Sequence, residues 1–464
     1  MPPQRRRVPA SADTIAAVAT AAGRAGVGIV RISGPQAARV AQGILGALPT
    51  ERRAVARTFR DAQGSALDFG LALWFPAPGS FTGEDVLELH GHGGPVVLRG
   101  VLGRCLELGA RLADPGEFTR RAFLNDRIDL AQAEAVADLI DAASEQAARG
   151  ALRSLSGEFS AEIDRVASAL LDLRVLVEAT LDFPEEDGVD FLADSDALDR
   201  LARLRADLTR VFQAARQGSV LREGLTVVLA GAPNVGKSSL LNRLAGDQVA
   251  IVTEHPGTTR DAIRQTILIE GMPVHLVDTA GLRDSDDSVE QLGMQRTREM
   301  LQRADLVLSI RAVAPEGLAV AGAAGRASVA SEVLAALPAS VVVVDVLNKI
   351  DLSGVPAAEL VAGDLWQISV SALTGEGIDQ LRRALHKVGG QAETGEGVYL
   401  ARARHLEALA LARGHLQTAA DRRLPADLLA EELRLAHDAL GTIVGRIGSD
   451  ALLGEIFGRF CIGK

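Results

Sequence analysis

Three rhythms of apolar and polar positions follow one another along the chain. From residue 12 to about residue 125, short apolar runs are punctuated by glycine and proline. Gly26–Ile32, Leu71–Phe75 and Val86–His90 read as strands, the last closed by Gly91-His92-Gly93-Gly94, and Pro95–Leu108 reads as a helix. Strand-length runs mixed with a helix predict a mixed α/β or α+β domain. From Asp129 the period lengthens. Apolar residues fall at Val136, Ile140, Ala143 and Ala147, slip near Gly150, and resume at Leu152, Leu155, Phe159, Ile163, Val166, Leu170, Leu173 and Val177. Steps of three and four place them on one face of long amphipathic helices. More helix is expected from about Asp196 to Arg216, and the tail repeats the spacing at Leu429, Leu433, Ala436, Leu440, Ile443 and Ile447.

Between the helical stretches, residues 217–386 alternate strands with helices. The strands read as Leu225–Gly231, Ala262–Glu270, Val274–Asp278, Asp305–Ile310, Val341–Leu347 and Leu365–Ser369. Such alternation predicts a largely parallel sheet with helices on both faces. A helix with one apolar stripe must bury it against something. The simplest arrangement packs the tail helices on those of 127–216 and makes the α/β segment an insertion. The alternative is two helical domains in series. The expected division is an N-terminal α+β domain over 1–126, helices over 127–216, the α/β domain over 217–386, and helices again over 387–464.

Composition narrows the classes. At 464 residues and 47% hydrophobic, the chain can bury several cores, and at 3% aromatic those cores are aliphatic. The net charge of −11 argues against a surface coated in basic charge for nonspecific nucleic-acid binding. RNA stays open as a substrate through a local patch or a partner. Two cysteines, Cys105 and Cys461, give neither a disulfide framework nor a zinc site, and fit a reducing cytoplasm. Ile15–Ala22, behind Arg5, Arg6 and Arg7, is too broken for a signal-peptide core, and the start reads as a disordered basic tail. No apolar run approaches the ~20 residues that span a bilayer. The ending Cys461-Ile462-Gly463-Lys464 fits a prenylation box poorly.

The α/β segment carries a nucleotide signature. Gly231-Ala-Pro-Asn234-Val235-Gly236-Lys237-Ser238-Ser239 lies between a strand and a helix, as a phosphate loop must. Its glycines let N–H groups converge on phosphate oxygens, Lys237 can reach the outer phosphates, and the Ser238 hydroxyl can ligate Mg²⁺. Asp278-Thr279-Ala280-Gly281 ends a strand, with Asp278 placed for the Mg²⁺ shell and the Gly281 N–H for the last phosphate. Asn348-Lys349-Ile350-Asp351 ends another. A carboxylate there accepts two hydrogen bonds from guanine, which adenine does not offer in that arrangement, so the nucleotide is GTP. Ser371-Ala372-Leu373 follows the last strand, where a backbone N–H can meet the guanine carbonyl oxygen. Gly257-Thr258-Thr259-Arg260-Asp261 occupies the switch position, with Thr259 as the second Mg²⁺ ligand.

One position departs from the usual scheme. Leu282 stands where other GTPases carry a glutamine that orients the attacking water, and no arginine finger is recognisable. Glu290 is the candidate for that catalytic role; the plainer reading is a solvated loop carboxylate. The Asn234 side-chain oxygen could hold a monovalent cation that supplies the missing positive charge.

With its other motifs, the chain resembles the bacterial and mitochondrial tRNA modification GTPase family called MnmE or TrmE. The resemblance runs through Gly26-Val-Gly-Ile-Val-Arg31-Ile-Ser-Gly34, Ser80-Phe-Thr-Gly-Glu-Asp-Val-Leu-Glu88-Leu and Pro115-Gly-Glu-Phe-Thr-Arg-Arg-Ala-Phe-Leu-Asn-Asp126. It continues through Pro233-Asn-Val-Gly-Lys-Ser-Ser239 and Phe460-Cys-Ile-Gly-Lys464. It implies a folate-binding N-terminal domain, a discontinuous helical domain and an inserted Ras-like G domain. It also implies a cytoplasmic homodimer and an FAD-dependent partner, MnmG (GidA), in a heterotetramer or larger. Together such complexes would modify carbon 5 of the wobble uridine of certain tRNAs with a tetrahydrofolate one-carbon unit. The family's K⁺-activated, dimerisation-activated hydrolysis points to Glu290 as catalytic and to a K⁺ site of Asn234, Thr253, His255 and Thr258. Its folate contacts carry onto Arg31, Glu88, Arg127 and Lys464. Arg127 keeps the charge of the lysine in some relatives but not its geometry. Cys461 is either catalytic or simply buried. The competing reading is a purely regulatory GTPase, which would share the G domain but neither the folate-like domain nor the Cys-Ile-Gly-Lys end.

Overall fold

A computed structural model describes residues 13–182, 196–246, 264–269, 272–278, 304–313, 341–362, 365–389, 399–421, 424–446, 450–458, 460 and 463. The chain forms two units, one of residues 1–137, 154–208 and 408–464, the other of 138–153 and 209–407.

The first unit opens with β1 (Ile15–Val18), β2 (Ala25–Ser33), α1 (Ala37–Leu45), β3 (Val55–Arg60), β4 (Ala66–Phe75), β5 (Val86–Gly93), α2 (Pro95–Glu107), β6 (Arg111–Leu112) and α3 (Glu117–Leu124). Six strands make one sheet in the order β3-β4-β5-β2-β1-β6. Alternate residues of each strand face opposite sides. Ala16, Val30, Ile32, Leu87 and Leu89 meet the buried faces of α1 and α2, while Ile15 and Ala17 pack with Phe118 of α3. The sequence reading assigned no strand to Ile15–Val18. The segment is an inner strand, antiparallel to β2 and parallel to β6, because its small apolar residues bury on both faces. The basic tail itself lies outside the described residues.

The helices are α4 (Leu130–Ile140), α5 (Glu145–Leu155), α6 (Glu158–Asp182) and α7 (Ala197–Glu223). The slip read near Gly150 is not a break. Gly150 lies inside α5, whose buried face runs Ala147, Gly150, Ala151 and Ser154, so Leu152 and also Ile140, expected in the stripe, are exposed. The break falls at Gly157, where φ is 89°. Helix α7 runs past Arg216 to Glu223 because its buried stripe continues through Leu208, Val211 and Ala215 to Leu221.

The second unit holds β7 (Leu225–Ala230), α8 (Lys237–Ala245), β8 (Arg264–Ile269), β9 (Met272–Asp278), β10 (Leu306–Ala312), β11 (Val342–Asn348), β12 (Glu359–Ala362), β13 (Leu365–Ser369) and α9 (Ile378–Val388). The sheet order is β12-β13-β11-β10-β7-β9-β8, with the five central strands parallel and both edges antiparallel. Val227 and Leu229 face the core that takes Leu240, Leu244, Leu381 and Leu385, while Val228 and Ala230 face Val277 and Val307. This is a P-loop G-domain sheet, and its parallel strands end together where ligands bind in such folds. The edge strand β12 is an addition to the expected set. All four of its residues are exposed, which leaves no burial pattern to read. Asp138, itself buried, accepts bonds from Arg222 Nε at 2.9 Å and Arg402 Nη2 at 2.8 Å, so one carboxylate holds chain segments on either side of the sheet region.

The chain ends in α10 (Ala403–Ala419), α11 (Ala426–Ile443) and α12 (Asp450–Gly458). Within the first unit α11 lies along α6, burying Leu433, Ala436, Leu440 and Ile443 in the same unit as Phe159, Ile163, Val166 and Leu170. Helix α12 meets α3, with the Phe457 ring centroid 6.3 Å from Phe123 and 5.6 Å from Phe460. Among the described residues, no helix is long and apolar enough to cross a membrane.

Gly218 illustrates how tightly α7 is passed by another segment. A Cβ there would stand 1.7 Å from the Tyr399 carbonyl oxygen. Alanine normally favours a helix over glycine by about 1 kcal/mol, but forcing an atom into packed backbone costs about 1–3 kcal/mol or more. Gly218→Ala should therefore lower the melting temperature by several degrees in calorimetry; an unchanged or raised value would contradict this close approach.

Candidate functional site

Strand β7 delivers the chain into Gly231–Gly236, and α8 begins at Lys237. Asn234 and Gly236 both adopt left-handed backbone, with φ of 62° and 95°. Left-handed positions in such a loop turn N–H groups toward a bound anion, and the α8 N-terminus adds partial positive charge. Gly236 is required for a second reason, since a Cβ there would lie 2.3 Å from Asn348 Nδ2. The buried Lys237 side chain curls back over the loop, and its Nζ donates to the Gly231 carbonyl at 2.8 Å and the Ala232 carbonyl at 3.1 Å. Ser238 and Ser239 are exposed in the first turn of α8.

The end of β11 is bound directly to that loop. Asn348, only 1% exposed, donates from Nδ2 to the Val235 carbonyl at 2.9 Å and accepts at Oδ1 from the Ala372 N–H at 3.0 Å. Lys349, with φ of 68°, sends Nζ to the Asn234 carbonyl at 2.8 Å. Ser371 Oγ donates to Asp351 Oδ1 at 2.6 Å and accepts from the Thr374 N–H at 3.1 Å. The structure thus brings Asn234, Val235, Gly236, Lys237, Asn348, Lys349, Asp351, Ser371 and Ala372 into one connected group. Within Ser371-Ala372-Leu373, the segment expected to offer a backbone N–H to the guanine oxygen, the Ala372 N–H is engaged by Asn348. Asp278 closes β9 beside Leu229 in parallel register, two residues before the loop. The other expected positions, Thr253, His255, Thr258, Thr259, Thr279, Ala280, Gly281, Leu282 and Glu290, lie outside the described residues, as do Cys461 and Lys464.

One residue escaped the sequence reading. Arg243, in the last turn of α8, donates from Nε to the Ala372 carbonyl at 2.9 Å and from Nη2 to the Leu373 carbonyl. An exposed arginine on a helix reads as a solvated charge in a single sequence. Only the proximity of α8 to the loop after β13 reveals its partners.

A second cluster lies in the first unit. Arg31 on β2 and Glu88 on β5 are register partners, and Arg31 Nε donates to Glu88 Oε1 at 2.8 Å. The Arg31 guanidinium carbon lies 5.7 Å from the centre of the Phe118 ring, close enough for a cation–π contact. His90 Nε2 meets Glu88 Oε2 at 3.0 Å. Burial pushes the Glu88 carboxyl upward, but the Arg31 charge and the bonds from His90 and Arg31 outweigh it and hold the group below its ordinary value. His92 turns instead to Asp68 at 2.7 Å, so the two histidines serve different carboxylates. Among the described residues, no group of three or more His, Cys, Asp or Glu could hold a metal ion. Arg127 is exposed, and its Cγ is 3.2 Å from where a Cβ on Gly83 would stand. At the other end of the chain, a Cβ on Gly463 would be 2.3 Å from the Val18 carbonyl oxygen. Val18 follows Ala17, the β1 partner of Arg31, so Gly463 packs at the end of β1 beside this cluster.

Two family models match the chain: the MnmE helical domain over residues 130–461, and the N-terminus of GTP-binding protein TrmE over 14–127. Among curated relatives, the tRNA modification GTPase MnmE of Thiobacillus denitrificans is 56% identical over 98% of this chain and 99% of its own. The protein of the same name from Nitrosomonas europaea is 57% identical over 98% of this chain and 100% of its own. That of Chromobacterium violaceum is 54% identical, covering 97% of this chain and 98% of its own. The chain belongs to the tRNA modification GTPase MnmE family. The MnmE helical match spans both helical stretches and the sheet between them. The TrmE N-terminal match takes in Arg31, Glu88 and Arg127.

In this MnmE-family chain the Arg31–Glu88 pair sets an acid response with a definite sign. A carboxyl held below its ordinary 4.5 contributes stability above that pH and loses it as pH falls through the lowered value. Arg31→Met leaves burial unopposed by the guanidinium, so the Glu88 value should rise and the contribution should vanish at a higher pH. Carboxyl-carbon NMR titration of both forms checks this, and an unmoved Glu88 resonance would contradict the pairing.

Proposed function

We propose that this GTPase binds GTP at the group joined by Asn348, hydrolyses it, and couples hydrolysis to modification of the wobble uridine in tRNA. The observation that carries the reading is the side-chain bridge of Asn348, which links the phosphate loop to the loop after β13. In this reading Asn234, Val235, Gly236, Lys237, Ser238 and Ser239 receive the phosphates. Thr279, Ala280 and Gly281 contact the last phosphate. Asn348, Lys349, Asp351, Ser371 and Ala372 surround the base, and Ser238, Thr259 and Asp278 serve the Mg²⁺ shell. The ammonium of Lys237 and the helix N-terminus fit an anionic ligand, and Mg²⁺ would neutralise charge on the phosphates.

The family resemblance supplies the finer proposals. Arg31, Glu88, Arg127 and Lys464 take a reduced folate, 5-formyl or 5,10-methylene, with the Gly463 contact on β1 in support. The chain would act in the cytoplasm as a homodimer, with the FAD-dependent MnmG (GidA) protein, adding an aminomethyl or carboxymethylaminomethyl group to carbon 5 of the uridine. Cys461 is a further candidate for that chemistry. K⁺ would sit among Asn234, Thr253, His255 and Thr258, where an arginine finger acts in other GTPases. Glu290 would orient the water that attacks the terminal phosphorus, since Leu282 offers no polar group.

Two experiments test the reading. Asp351→Asn should shift preference from GTP toward xanthosine triphosphate, because an amide donates to the extra base carbonyl where the carboxylate accepted from the amino group. Competition binding reads the shift, and unchanged GTP preference would mean that the base loop is wrongly assigned. Hydrolysis should also depend on K⁺, since unmet charge on a transferring phosphoryl group costs about three or more orders of magnitude in rate. With a transition-state analogue, K⁺ should drive dimerisation and Na⁺ should do so poorly. Asn234→Ala should lose the K⁺ response, and Glu290→Ala should lose hydrolysis while still dimerising. Equal wild-type rates in K⁺ and Na⁺ would sink the cation mechanism and leave the GTPase standing.

A further inference from the structure

Arg243 makes a forked contact with a segment far from its own helix. Its Nε and Nη2 donate to the carbonyls of consecutive residues, Ala372 and Leu373. Favourable placement of a cation at the C-terminus of α8 would require neither bond, because that interaction needs only proximity to the helix's own last carbonyls. The fork acts on a different loop and holds two successive peptide planes.

The consequence follows from peptide geometry. In a planar trans peptide, the carbonyl of one residue and the N–H of the next point in opposite directions. With the Leu373 carbonyl drawn toward α8, the N–H of Thr374 is turned away from it. That N–H donates to Ser371 Oγ at 3.1 Å, and the same hydroxyl donates to Asp351 Oδ1 at 2.6 Å. A hydroxyl has one proton to give. Occupying its acceptor side with the Thr374 N–H leaves that proton for the carboxylate. Donors therefore run in one direction, from the Arg243 cation through the Leu373–Thr374 peptide and Ser371 to Asp351. Bonds aligned this way strengthen one another. Gly375, with φ of 93°, turns the loop back over the guanidinium, and a Cβ there would stand 3.9 Å from the Arg243 guanidinium carbon.

We infer that Arg243 is a positioning residue for guanine recognition, acting through Ser371 on the orientation of the Asp351 carboxylate. The inference rests on the proposed assignment of Asp351 to the base. It deepens that assignment by naming what aims the carboxylate. Lysine cannot replace the fork, because a point ammonium lacks its planar two-pronged geometry.

The test uses the full chain and compares GTP with inosine triphosphate, which lacks the amino group that Asp351 would read. Arg243→Ala should reduce the preference for GTP over inosine triphosphate by about three- to tenfold, the scale of one or two polar contacts on an exposed loop. The loss should appear in KM or Kd for GTP, with kcat little changed, and Arg243→Lys should fall between. In a Ser371→Ala background, Arg243→Ala should add little further loss, because the two act in series. A purely structural role predicts something else: equal weakening of both nucleotides, or a lower melting temperature with the preference intact, and either result overturns the inference. If Arg243→Ala does not fold, Arg243→Lys and Arg243→Gln carry the same comparison. Asp351→Asn separates the two levels. If it switches base preference while Arg243 variants keep theirs, only the role of Arg243 fails. If it does not switch, the assignment of Asp351 to the base fails first.

Discussion

The second unit depends on a single buried amide. Asn348 ends β11, one of the five parallel strands, and its side chain fills the gap between two loops that come from distant parts of the chain. One end donates to the phosphate loop and the other accepts from the loop after β13. Each bond is worth about 1 kcal/mol net, but leaving either partner unsatisfied in a buried site costs about 1–3 kcal/mol. The bridge also fixes its neighbours. Gly236 must lack a side chain because Asn348 Nδ2 occupies that space, and Lys349 is directed to the Asn234 carbonyl. The loop geometry is thus held from the sheet side as well as by its own glycines.

The first unit is organised around a different device, a set of charges under α3 centred on the buried Arg121 and Glu117. Arg121, nearly inaccessible, bonds Glu117, Glu84 and Asp13, while Arg111 also reaches Glu117 and Asp13. Burial raises the Glu117 carboxyl, but its bonds from Arg111, the Asp114 N–H and Arg121 prevail and keep it ionised below the usual range. Such a group is costly to break, because removing one partner strands a buried charge. It fastens α3, and therefore Phe118, against the face of the sheet that carries Arg31 and Glu88.

What could be read from residues alone follows from how local the cause was. The strand ends carrying Gly231, Asp278, Asn348 and Ser371 were legible because apolar runs stop at glycines and polar residues within a few positions. The long stripes of α6 and α11 were legible because their burial repeats every three or four residues. Strand β1 was missed because four small residues behind a basic stretch carry almost no periodicity, and its burial comes from β2 and β6. Strand β12 was missed because an edge with every side chain exposed has no alternation to detect. The passage of Tyr399 over Gly218 of α7 was invisible because it joins positions far apart in the chain. Arg243 was invisible for the same reason, since binding to carbonyl oxygens leaves no mark on the identity of the residues that supply them.

The contact of Gly463 with Val18 has a consequence in time. These residues are 463 − 18 = 445 positions apart, and a ribosome adds about 5–20 residues per second. The first strand of the N-terminal sheet is therefore made about 20 to 90 s before the glycine that packs on it. During that interval the sheet can pair its strands and bury Ile15 and Ala17, but the Gly463 backbone is not yet there to pack on Val18. The nascent unit must tolerate this incomplete packing while the intervening residues are synthesised, and the contact closes only after that wait.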